Sequence, residues 1–94
     1  MRRPPELSPY FAPLLADFSQ GLTQFCRASV HEYMSIAAWM DAMERDGYES
    51  PAEEAARAAW GEAYEARAEA GHVLMERAQI LLLLTNLNPP PASA

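Results

Sequence analysis

The chain has no lysine, a single cysteine (Cys26), and no apolar run longer than the five residues from Ile80 to Leu84. With one cysteine there is no internal disulfide, so the fold must stand on packing alone, and nothing asks for an oxidising compartment. A cytoplasmic location is the expectation. Five consecutive apolar residues fall far short of the ~20 needed to cross a bilayer, so no membrane span is expected. Met1-Arg2-Arg3 opens like an export signal, but Pro4, Pro5, Glu6 and Ser8 stand where an unbroken apolar stretch is required. Without lysine, positive charge rests on seven arginines against thirteen carboxylates, a formal net charge of −6. Phosphate backbones and anionic lipid surfaces are repelled by such a chain, which argues against nucleic-acid and membrane partners.

Proline is unevenly spread, and its gaps define the elements. Four prolines crowd the first thirteen residues and three more follow Asn88; each removes a backbone donor and biases its predecessor away from helical angles. Between Leu14 and Arg45 there is none, and Gly21 is a tolerable interior cost of about 1 kcal/mol. Arg45 in the last turn and Gly47 just beyond it mark a helix end. Ser50-Pro51 with Glu53 reads as a capping box, in which Ser50 accepts an orphan amide, proline takes the first helical position and Glu53 reaches back. The expected organisation is an all-α, antiparallel two-helix hairpin. A proline-rich arm (1–12) precedes a helix over about 13–45, a turn at 46–50, a second helix over about 51–86 and a disordered tail (88–94).

Phe11, Leu15, Phe18, Leu22 and Phe25 recur at spacings of four and three, and the count continues through Ser29, Glu32, Ile36, Trp39 and Met43. The matching stripe on the second helix runs through Ala56, Trp60, Ala63, Arg67, Ala70, Leu74, Ala78 and Leu81. Bulky side chains of the first helix are expected to settle on the alanine-rich second. With a short turn near residue 48, positions face each other when their numbers add to about 96. That register sets His31 opposite Glu65, Arg27 opposite Glu69, Asp41 near Arg57 and Glu32 near Arg67, with Ser29, Glu32 and Arg67 forming a polar waist. Trp39, Met34, Met40 and Met43 read as core near the turn, and Cys26 beside Phe25 as a small apolar filler. Cys26 falls opposite His72, but no glycine loop, oxyanion elbow or acid cluster accompanies the pair, so no catalytic residue is expected.

Ile80 to Leu84 point in every direction around a helix, because each residue turns ~100°. One neighbouring helix cannot cover them all. Together with Phe11, Leu14, Leu15, Phe18 and Leu87 they make Ile80, Leu81, Leu82, Leu83 and Leu84 the expected assembly surface, and a homodimer closing a four-helix bundle is the simplest way to cover it.

Glu69 and His72 have the E-x-x-H spacing that places a carboxylate and an imidazole on one helix face, and Glu32 supplies a further carboxylate. On these three residues, and in helix count and length, the chain resembles the two-helix, encapsulated type of ferritin-like protein, which implies a di-metal carboxylate site holding iron or another divalent metal. The register sets Glu69 and His72 roughly 7–12 Å beyond Glu32 along the rod, so a symmetric dimer bringing together Glu32, Glu65 and His31 of both copies is the other way to fill such a site. The plainer reading of all five residues is cross-hairpin salt bridging. In length and architecture the chain is also similar to secreted WxG-type hairpins, although its turn is Asp46-Gly47-Tyr48. The leading expectation is a non-enzymatic, self-associating structural or interaction module, its partner a second copy or another helical protein. The alternative is the ferritin-like metal protein.

Overall fold

In the computed structural model, which describes residues 9–87, two helices lie antiparallel: α1, Phe11–Asp46, and α2, Pro51–Leu87. The body is a rod 67 Å long and about 20 Å across, with extents of 67 × 21 × 19 Å. The arm before residue 9 and the tail after residue 87 lie outside the described residues. Helix α1 begins two residues before Pro13, since the amides of a first helical turn have no intrahelical acceptor and a proline there forfeits nothing.

At the turn, the Gly47 amide donates to the Met43 carbonyl at 2.9 Å, with Gly47 at φ +86°. Glu49 also takes a positive φ, 67°, a conformation most side chains avoid. The expected capping box is half made. The Glu53 amide donates to Ser50 Oγ at 3.2 Å, whereas the Ser50 amide donates to the Gly47 carbonyl rather than to Glu53. The Glu53 carboxylate is drawn across the hairpin instead: the Trp39 indole N–H donates to its Oε1 at 3.1 Å, and Arg57 stands 3.4 Å from its Oε2.

The seam differs from the simplest sequence pattern by one step. On α1 it runs through Phe11, Leu14, Phe18, Gly21, Phe25, Ala28, Glu32, Ser35, Trp39 and Ala42, an unbroken alternation of three and four residues in which no member is exposed. On α2 the same alternation runs through Glu53, Ala56, Trp60, Ala63, Arg67, Ala70, Leu74, Arg77, Leu81 and Leu84, again with none exposed. Seven residues per two turns is the coiled-coil period, which keeps both seams aligned along the whole rod.

Leu15 and Leu22, expected in the seam, are exposed, as are Met34 and Met40, expected in the core. Gly21 takes the buried place beside Leu22: the point where a Cβ would stand on Gly21 is 3.7 Å from Leu74 Cα, so two backbones approach there.

Facing positions carry numbers adding to about 95, within a residue of the sequence-derived register. Large residues thereby meet small ones: Trp39 faces Ala56, Trp60 faces Ser35, Phe25 faces Ala70 and Leu74 faces Gly21. The same rule explains the short list of fully buried groups. By that rule Ala42 (4 % exposed) is level with Glu53 (0 %), and Ala63 (2 %) is level with Glu32. Tips of the large residues then reach one another diagonally. Trp39 and Trp60 stack with ring centroids 5.2 Å apart and planes 19° from parallel, and Tyr64 leans on Trp60 at 5.9 Å.

Candidate functional site

The polar waist forms as the register requires. Arg67 Nε donates to Glu32 Oε2, with both side chains partly covered. The guanidinium of Arg67 is held above its ordinary value chiefly by that hydrogen bond, which outweighs the opposing effect of burial, with the charge of Glu32 and the neighbouring Tyr64 adding less. Arg67 also lies over the Tyr64 ring at 5.2 Å. Ser29 is half-buried about one helical turn before Glu32.

Several other charged residues, Asp41 and Arg57 among them, pair within single helices. Asp41 pairs with Arg45 at 3.2 Å, Arg57 with Glu53, and His72 with Glu76 at 3.2 Å. Among the described residues no ion pair joins His31 to Glu65 or Arg27 to Glu69. Side-chain entropy favours the neighbour one turn along the same helix over a partner across a groove. One long-range contact was not foreseen: Arg77, a seam residue, sends its guanidinium across to donate to the Asp17 carbonyl at 2.7 Å.

Of the candidate metal ligands, Glu32 is committed to Arg67, while His31, Glu65, Glu69 and His72 are exposed. No three His, Cys, Asp or Glu side chains converge on a metal-sized point among the described residues. Cys26 is exposed rather than tucked beside Phe25, so it is not a core filler.

The expected assembly surface divides in two. Phe11, Leu14, Phe18, Leu81 and Leu84 turn toward the seam and are half-buried, whereas Leu15, Ile80, Leu82 and Leu83 face outward, Leu82 at 62 % and Leu83 at 61 % exposure. Leu87 closes α2.

A wider pattern emerges when the seam is shifted one residue toward the C-terminus on each helix. On α1 this second stripe is Ala12, Leu15, Ser19, Leu22, Cys26, Ser29, Tyr33, Ile36, Met40 and Met43, with no charged residue. On α2 it begins with Glu54 and Arg57 and is then uncharged through Gly61, Tyr64, Ala68, Gly71, Met75, Ala78, Leu82 and Thr85. One residue is ~100° of right-handed rotation, and antiparallel helices seen from one end turn in opposite senses, so the two stripes arrive on the same side of the hairpin. Leu15, Leu22, Tyr33, Met40, Tyr64, Met75 and Leu82 are all exposed on it.

The opposite side, one residue toward the N-terminus, carries Asp17, Arg27, His31, Asp41 and Arg45 from α1 and Glu62, Glu69 and Glu76 from α2, together with Ile80 and Leu83. The hairpin is thus a plank with one charged broad side and one that is uncharged apart from Glu54 and Arg57 near the turn. Sequence reasoning missed Tyr33, Tyr64, Met75 and most of this face because it assigned one stripe per helix. The signal was present as a second alternation of three and four running beside the first.

The chain matches no protein-family model, no curated protein and no solved structure. No helix is long and apolar enough to cross a membrane among the described residues.

Proposed function

We propose that the chain is a non-enzymatic, self-associating helical hairpin, a structural or interaction module whose working form is a homodimer closing a four-helix bundle. The observation that supports this most directly is how little the hairpin covers. Ala42 and Ala63 are its only buried apolar side chains among the described residues, while leucine, methionine and tyrosine side chains stand exposed along most of the rod. Apolar burial is the main favourable contribution to folding, and a two-helix layer buries one stripe per helix. A second layer supplies the missing cover, and a copy of the same hairpin brings the same length and the same period. The acidic balance and lone cysteine fit a cytoplasmic setting without nucleic-acid or lipid partners.

Sedimentation of the full chain from about 1 to 100 µM tests the proposal. A dimer or larger mass across this range, with a melting temperature that rises with concentration, is expected. A monomer at every concentration refutes it. Metal content measured on the same material separates the ferritin-like alternative: iron or another divalent metal retained through purification, and lost in Glu32→Ala, would replace the present reading.

A further inference from the structure

The uncharged broad side suggests how two copies meet. Building on the self-association proposed above, we infer that the hairpins pair through this face about a two-fold axis parallel to the rods, with both turns at the same end, so that α1 of each copy lies over α2 of the other.

Charge chooses the face. Carboxylates, arginines and His31 crowd the other broad side, where the same pairing would set Glu76 level with Asp17 of the second copy and take the remaining charged side chains out of water; like charges brought together are repulsive, and charges without water are costly. The stretch uncharged on both helices spans residues 12–36 of α1 and 61–85 of α2, which at ~1.5 Å per residue is roughly 36 Å. Multiplied by the 21 Å width of the rod, the footprint is on the order of 750 Å² per copy, close to the ~800 Å² per partner that specific interfaces bury.

The end-to-end sense follows from α2. Its uncharged stretch is off-centre, starting at Gly61 and running to the open end, with Glu54 and Arg57 nearer the turn. Fully overlapped copies pointing in opposite directions would put Glu54 and Arg57 at both ends of the interface, level with the Leu82 end of the other copy, whereas turns together gather them at one end, level with Met43 and Met40, and leave the rest of the face uncharged. With turns together, facing numbers across the interface add to about 97. Leu15 then meets Leu82 of the second copy, Leu22 meets Met75, Tyr33 meets Tyr64, and Cys26 meets Gly71. Large side chains pair on either side of a small-residue middle at Cys26 and Ser29, so the two surfaces can approach over the uncharged stretch. Ile80 and Leu83 stay outside this interface, which separates it from a general adhesion of the leucine-rich end.

Two measurements on the full chain test the arrangement. In sedimentation, Leu22→Asp and Met75→Asp are expected to weaken the dimer at least tenfold, while Ile80→Asp and Leu83→Asp leave its mass unchanged, with far-UV circular dichroism confirming helicity in all four. Spin labels on Ala52→Cys, with Cys26→Ala as the one conservative change on the face, give the sense of pairing: a separation near ~25 Å is expected for turns at one end, against ~45 Å or more for opposite ends. A wild-type monomer overturns the self-association reading and this inference with it. A dimer that survives Leu22→Asp and Met75→Asp, or that gives the longer separation, overturns the inference alone.

Discussion

The indole N–H of Trp39 on α1 donates to the carboxylate of Glu53, the fully buried third residue of α2, at 3.1 Å. This bond ties the two helices together at the turn end. It also explains why the capping box is half made, because a carboxylate serving Trp39 is not free to fold back on the Ser50 amide. Trp39→Phe keeps an aromatic ring against Trp60 but leaves a buried acceptor without its donor. Such an orphan costs ~1–3 kcal/mol, which for a domain of this size is a fall in melting temperature of roughly 4–8 °C per kcal/mol. Thermal unfolding followed by circular dichroism measures it, and an unchanged midpoint would show that the bond carries nothing.

Ser50→Ala removes the hydroxyl that accepts the Glu53 amide and donates to the Gly47 carbonyl at 2.8 Å. Loss of an N-terminal cap costs about 1 kcal/mol. Urea titration should show a lower midpoint at an unchanged slope.

Two glycines of α2 should respond differently to alanine. A Cβ on Gly61 would meet nothing within 4 Å, whereas one on Gly71 would stand 3.1 Å from the Phe25 ring. Gly61→Ala is therefore expected to stabilise the isolated hairpin by the helix-propensity difference of ~0.8–1 kcal/mol. At Gly71 the displaced Phe25 ring offsets much of that gain. Equal gains at the two positions would mean that Phe25 does not press on α2. Both comparisons belong at a concentration where the chain is monomeric, because both glycines lie on the uncharged side.

The waist pair offers a double-mutant cycle. Glu32→Leu alone leaves the Arg67 cation in the seam without its carboxylate and is expected to destabilise. Replacing both by leucine restores stability to about the wild-type level or above, since removing a partly buried pair together is often neutral or favourable. Arg67 is held above the ordinary arginine value, and a group shifted upward contributes fully below its unfolded value and loses that contribution only as pH rises through the folded one. Raising the pH to 10 should therefore leave Arg67 charged and the wild-type pair intact. A fall in stability that is present in wild type and absent from the double leucine variant over that range would contradict this.

Most of the fold is legible in the sequence because strong local signals agree: the proline-free stretches, Gly47, and Ser50-Pro51 before a long helical pattern. The register was legible to within a residue, although of its charge matches only Glu32 with Arg67 forms an inter-helix ion pair among the described residues. His72 and Asp41 found partners one turn away on their own helices, which a register rule does not weigh. The seam itself was harder to read. On α1, Leu22 is a better hydrophobe than Gly21, the seam residue between Phe18 and Phe25, and Leu15 equals Leu14, so reading by hydrophobicity selects the outer stripe in place of the inner one. Where close approach of backbones decides, the smallest residue marks the contact, and a hydrophobic count looks past it. The candidate face was legible as a lack of charge beside the seam, a signal spread over thirty residues and invisible at any single one.

The seven-residue period of the seam makes the two helices nearly self-similar under sliding: a slip of two turns would again set bulky residues over small ones. Trp39 would still find an alanine, Ala63 in place of Ala56. Such a slip would, however, separate Trp39 from Glu53, Glu32 from Arg67 and Arg77 from the Asp17 carbonyl. These three polar contacts stand at the turn, the middle and near the open end of the rod. They work as graduation marks on an otherwise repetitive scale, and their contribution is to information more than to strength: they select one alignment among several of similar packing.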